Sequence, residues 1–187
     1  MMAGHVVKTK GSERKSCSTD IVYTPKEIAK AIIDSLPIKD GEIVLDPFYG
    51  KGAFYEQFPE TVKKEWCEIE KGKDFFDYDK KVDWIISNPP YSTFNEVVKH
   101  SYEIADNVVY LMPLCKACSS LKRIRMIKEY GGVKEIYYIG ASKCGFPFGF
   151  PCAAIWVKRN YKGETKITEL RVCRKKTKLY ARTLSWG

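Results

Sequence analysis

Short apolar runs alternate with amphipathic stretches along most of this chain, and that alternation most restricts its fold. Glu42–Leu45, Glu65–Ile69, Asp83–Ser87 and Val108–Met112 read as strands, each short and apolar. Helix patterns lie among them. One opens at Thr24-Pro25, with Thr24 as cap and Pro25 at the first helical position, and places Ile28, Ala31, Ile32 and Ser35 on one face to about Leu36. A short helical stretch runs to about Phe58, a longer one from Thr93 to Ala105, and a basic one from Ser119 to Tyr130, ended by Gly131-Gly132. Strands separated by helices pair in parallel, with helices on both faces of the sheet. After Tyr130 the pattern changes. Val133–Ile139 and Cys152–Lys158 are joined by a Gly/Pro/Phe loop with no room for a crossover helix, so they are expected as antiparallel neighbours. A last strand is expected at Glu169–Cys173. The predicted fold is α/β, a mostly parallel sheet with an antiparallel last strand.

At 187 residues, with 44% hydrophobic and 29% charged side chains, the chain is long enough for one core and too apolar for a disordered segment. No apolar run reaches bilayer length, and Met1–Lys15 lacks a signal-peptide core, which predicts a cytoplasmic protein or one located with its partner. The net charge of +9 is uneven: residues 158–187 carry ten basic and two acidic side chains. This suggests three parts: a basic arm at 1–20, a folded body at 21–160 and a basic extension at 161–187. A basic end on a near-neutral body suits a polyanion, most simply nucleic acid, or is a solvated tail. Seven cysteines without a secretory signal fit reduced thiols. Cys115-x-x-Cys118 with Cys144 and Cys152 lacks a regular zinc spacing in its second pair, so no metal is expected and buried thiols are the default.

Two turns at strand ends carry the chemistry. Asn88-Pro89-Pro90-Tyr91 ends an apolar strand. Its prolines stiffen the backbone and remove donors. What remains is a set of acceptors, the Asn88 side-chain oxygen and the Pro89 carbonyl, beside the flat face of Tyr91. Such a set suits a planar group bearing an exocyclic amine; the plainer alternative is a rigid turn with a buried tyrosine. Asp46-Pro47-Phe48-Tyr49-Gly50-Lys51-Gly52 follows another strand, and its glycines permit close approach of a ligand to the backbone. It lacks the Gly-Lys-Ser/Thr of nucleotide hydrolases and the third glycine of dinucleotide sites. In open α/β sheets ligands bind at such carboxyl ends.

These two motifs, in this order, resemble those of the S-adenosylmethionine-dependent amino-methyltransferases that modify adenine N6 or cytosine N4 in DNA. The resemblance covers roughly residues 20–160 and implies a Rossmann-like class I methyltransferase fold with 21–160 as its catalytic domain. By it, Asn88, Pro89 and Tyr91 are catalytic, and Pro90 borders the target base. Tyr23, Thr24 and Pro25 pack over the cofactor's methionine part. Asp46, Phe48, Gly50 and Gly52 line its methionine and sulfonium end. Glu68, with Glu70 as a weaker candidate, accepts from the ribose hydroxyls. Asp74 and Phe75 meet its adenine, with Asp77 as an alternative acid. These acids are otherwise ordinary solvated turn residues.

The implied function is methyl transfer to adenine N6 in DNA by direct in-line attack. The order of the motifs resembles the mostly adenine-specific subclass. Phe146 and Phe148, in the loop 145–151, either form a rim for an extruded base or cap the core. Lys122, Arg123, Arg125 and Lys128 either meet phosphates or form a solvated helix face. Pro151-Cys152 superficially matches the nucleophile pair of cytosine-C5 enzymes, but the catalytic place is already filled. Two departures matter. The segment from Glu68 to Asp83 is too short for the usual helix and strand, so that sheet edge is expected to be trimmed. The family's large target-recognition domain has no counterpart, so a specificity subunit, a second copy or the basic ends would contact nucleic acid. The alternatives are an RNA adenine-N6 methyltransferase, a protein glutamine methyltransferase and an inactive nucleic-acid-binding subunit.

Overall fold

The computed structural model describes residues 23–140, 151–170 and 172. The arm at 1–20, Phe146, Phe148, Cys144 and most of the basic extension lie outside the described residues. Seven strands form one sheet: β1 (Ile43–Asp46), β2 (Lys63–Trp66), β3 (Val82–Ser87), β4 (Ala105–Pro113), β5 (Gly131–Tyr138), β6 (Cys152–Arg159) and β7 (Lys166–Glu169). Their order across the sheet is β2-β1-β3-β4-β6-β5-β7. The pairs among β2, β1, β3 and β4 are parallel; β6 runs antiparallel to both its neighbours, as its short connection to β5 requires. The last strand lies three residues before the start expected for it and pairs in parallel with β5. The sheet therefore reaches Glu169, into the segment taken as an extension. The expected trimmed edge is present. Between β2 and β3 the chain makes only two single 3-10 turns, Ile69–Lys71 and Phe75–Asp77, leaving β2 at the sheet edge.

Period-2 alternation sorts the strand residues onto two faces. Val44, Trp84, Ile86, Val109, Leu111 and Trp156 pack with helix α1 (Lys26–Asp34). Leu45, Ile85, Val108, Tyr110, Ile155 and Val157 pack with α2 (Phe94–Ile104) and α4 (Leu121–Tyr130). A one-turn helix α3 (Leu114–Ala117) follows β4. Buried Ile28, Ile32 and Ile33 anchor α1, each contributing about 1.5–3 kcal/mol by leaving water. Among the described residues no helix is long and apolar enough to cross a membrane.

Several local expectations need correction. Pro25, not Thr24, is the N-cap of α1, and no side chain caps it. The stretch after the glycine turn shortens to a 3-10 turn at Tyr55–Gln57. Gly131 ends α4 as expected, but as an extended residue (φ 167°) and not a left-handed one, and it begins β5, where a Cβ would lie 2.2 Å from the Lys158 carbonyl oxygen. Cys67 and Cys152 are buried, but Cys115 and Cys118 are exposed on α3 and its cap, so the default of burial fails for that pair.

Candidate active site

Parallel pairing of β1 with β3 brings the glycine turn and the Asn-Pro-Pro-Tyr turn to one carboxyl edge. The tie between them is Ser87, the residue before Asn88. Its hydroxyl donates to Asp46 Oδ1 at 2.6 Å, and both residues are fully buried. The Phe48 amide donates to the same oxygen at 3.3 Å. Oδ2 of Asp46 has no hydrogen-bond partner among the described residues. Burial pushes the Asp46 carboxyl up to about 6, against the opposing pull of the Ser87 hydroxyl and of the Phe48 and Tyr55 amides. A buried carboxylate oxygen without a donor is costly. A cationic group held close by, outside the buried carboxylate, would offset part of that cost.

The loop that follows is shaped for a close neighbour. Gly50 (φ 50°) and Gly52 (φ 77°) adopt left-handed conformations that other residues resist. Tyr23 lies over this loop: its ring is 3.9 Å from where a Gly50 Cβ would stand, and it is 51% exposed. Glu68 reaches across from beyond β2, and its Oε2 accepts from the Gly50 amide at 2.7 Å while Oε1 accepts from the Glu70 amide. Glu70 itself is exposed on the 3-10 turn.

Asn88 is held from two sides. Its Nδ2 donates to Thr24 Oγ1 at 3.3 Å, and its Oδ1 accepts from the Tyr91 hydroxyl at 3.2 Å. Both contacts favour the same amide orientation. Thr24 therefore spends its hydroxyl on the Asn-Pro-Pro-Tyr turn. Tyr91 is partly buried and packs against both faces of the core. Pro89 is buried and Pro90 half-buried beside it.

Asp74 and Phe75, expected to meet the cofactor's adenine, are not arranged as a stacking platform. Asp74 Oδ1 accepts from the Phe76 amide at 3.0 Å and so caps its own turn. Phe75 is only 2% exposed, with its ring edge-on to Phe48 at 5.4 Å and to His100 at 4.8 Å. It supports Phe48 from beneath. Asp77 is exposed. Arg123 points inward: it is 8% exposed, lies over the Phe94 ring at 4.6 Å and donates to Asn95 Oδ1, Ser119 Oγ and the Lys116 carbonyl. It ties the segment after β4 to α2 and is no phosphate contact, whereas Lys122, Arg125 and Lys128 remain exposed. Sequence reasoning missed Ser87. Its position at the strand end beside Asp46 was the available signal, but a small hydroxyl in an apolar strand reads as filler until the register is known.

No protein-family model matches this sequence, and no curated protein matches it. Solved structures do match. A class I S-adenosylmethionine-dependent methyltransferase assignment attaches to a Listeria monocytogenes protein of 12% identity and TM-score 0.63, with 84% of this chain and 68% of that chain covered. The type I restriction-modification methyltransferase subunit of Streptococcus thermophilus has 17% identity and TM-score 0.57, over 76% of this chain and 46% of that chain. A Pyrococcus horikoshii protein assigned as an RNA methyltransferase has 15% identity and TM-score 0.54, over 81% of this chain and 93% of that one. This chain thus spans less than half the length of the restriction-modification subunit. At such identities the likeness is one of fold, and the chain has the class I methyltransferase fold.

Proposed function

We propose that this chain transfers a methyl group from S-adenosylmethionine to the exocyclic N6 of adenine in DNA. The observation that carries the reading is the buried Ser87–Asp46 hydrogen bond, which holds a left-handed glycine cradle and an oriented Asn88 at one sheet edge. The residues fit the cofactor: the buried Asp46 holds the turn and places a negative charge behind its cationic end, Gly50 and Gly52 leave room for it, and Tyr23 and Phe48 border it. Glu68 is its ribose partner once its grip on the Gly50 amide is exchanged. The bound cofactor supplies an electrophilic methyl on a sulfonium.

An amide oxygen carries two lone pairs, so Asn88 Oδ1 can accept from a substrate amine as well as from the Tyr91 hydroxyl. With the Pro89 carbonyl it accepts the two amine hydrogens, which draws the nitrogen towards tetrahedral geometry and stabilises the charge that develops on it. Asn is no practical base, so the proton leaves to solvent after transfer. Tyr91 borders the base, which in a duplex must first leave the stack. DNA is the first choice because the Asp-Pro-Phe glycine turn resembles the DNA enzymes. An RNA acceptor is the second reading, favoured by the near-complete coverage of the Pyrococcus horikoshii protein.

The test is transfer of labelled methyl from S-adenosylmethionine to duplex DNA, single-stranded DNA and RNA, with nucleoside digestion. N6-methyladenine is expected in a DNA pool. Asn88→Ala should abolish transfer and leave cofactor binding within about threefold. Label only in RNA would overturn the DNA reading, and loss of cofactor binding in that variant would overturn the role given to Asn88.

A further inference from the structure

The edge of the sheet at β2 carries lysines held in an unusual way. Lys51 Nζ lies 3.8 Å over the Tyr23 ring, Lys71 Nζ 3.9 Å over Tyr49, and Lys73 Nζ 3.7 Å over Trp66. The rings are linked: Tyr49 and Trp66 stand 5.3 Å apart, and Tyr23 borders Gly50, the residue after Tyr49. These residues thus form one continuous strip, from the rim of the glycine cradle to the end of β2. All three lysines are exposed.

Neighbouring acids are already engaged. Glu56 pairs with Lys26, Glu60 with Lys64 and Glu65 with Lys80. Glu68 is bound to the Gly50 and Glu70 amides, Asp74 beside Lys73 to the Phe76 amide, and Glu70 is exposed on its turn. Among the described residues Lys51, Lys71 and Lys73 enter no ion pair. The distinction is physical. A lysine held by a carboxylate has its charge cancelled. A lysine held over a ring face is steadied by about 0.5–1 kcal/mol and keeps its full charge, with N–H donors turned away from the ring. Three such lysines are a row of fixed positive charges interleaved with aromatics, the composition that tracks a single strand.

We infer that this strip binds the phosphates of a single-stranded run of the polynucleotide substrate, flanking the base at Asn88. The inference rests on the proposed function and adds to it a binding face at the β2 edge of the sheet, apart from α4. Its test is the salt dependence of binding to a labelled single-stranded oligonucleotide. Each lost phosphate contact lowers the slope of log K against log salt by about 0.7. The triple variant Lys51→Gln, Lys71→Gln, Lys73→Gln should therefore lower it by about 2, with an unchanged melting temperature. The double variant Lys122→Gln, Lys128→Gln on α4 should leave the slope unchanged.

An unchanged slope in the triple variant, while the wild type binds and methylates the oligonucleotide, overturns this inference and leaves the proposed function standing. So does a drop that appears with duplex only, or with the α4 variant only. A wild-type protein that neither binds nor methylates any polynucleotide overturns both.

Discussion

Replacing Asp46 by Asn should change how stability depends on pH, and the size follows from the site. The carboxyl is fully buried, and its value moves from 3.8 to about 6 because burial penalises the charged form. A folded-state value above the unfolded one means that the native state holds the proton longer. Between about pH 4 and 6 the native protein is protonated at Asp46 while the unfolded chain is not, so stability falls as pH rises through that window and levels off above it. At about 1.4 kcal/mol per pH unit, ionised Asp46 costs the apo protein about 3 kcal/mol at pH 7. The carboxamide of the Asp46→Asn variant would keep the Ser87 hydrogen bond and never ionise. It adds a pH-independent contribution only.

The stability of Asp46→Asn relative to wild type should therefore rise by about 3 kcal/mol from pH 3 to pH 7. Urea unfolding followed by the fluorescence of the buried Trp84 and Trp156 reads this directly. The difference cancels every other titrating group. A difference that stays constant with pH would refute the assignment of a buried, proton-holding Asp46. The same group sets the cofactor's pH profile: wild-type affinity should rise up to tenfold per pH unit below about 6 and flatten above it, and the variant should bind weakly with no such rise.

Thr24→Val removes the oxygen that receives Asn88 Nδ2 while keeping the shape, so kcat should fall about tenfold or more with cofactor KM changed far less, and Thr24→Ser should restore it. Gly52→Ala forces a side chain into φ 77° and within 2.9 Å of the Tyr49 hydroxyl; a loss of about 1–2 kcal/mol in urea unfolding is expected, together with weaker cofactor binding by calorimetry. Gly131→Ala drives a methyl into the backbone of β6 and should cost about 3 kcal/mol in unfolding free energy with no selective effect on cofactor binding.

The parallel order of the first strands, the antiparallel β5–β6 pair and the trimmed edge were all legible in the chain, because each follows from local rules: apolar period, connection length and turn residues. The placement of Asn88-Pro89-Pro90-Tyr91 and of the glycine turn after β3 and β1 was legible because proline and glycine after an apolar run mark where a strand stops. β7 was misplaced by three residues, since a short exposed edge strand with Ile167 outward has little pattern of its own and is defined by its partner β5.

What the chain determines alone is therefore the inventory: which side chains accept, which carry charge and which turns can bend. Tertiary structure decides how they are employed. Register aligned Val44 with Trp84 and so put Ser87 against Asp46, 41 positions apart. Packing turned Arg123 inward and Phe75 under Phe48, and it lent the Thr24 hydroxyl to Asn88 in place of a helix cap. The reason is one of range. Helix and strand propensity act over a few residues, but a hydrogen bond, a ring contact or a raised carboxyl depends on groups far apart in the chain that meet only once the sheet has formed.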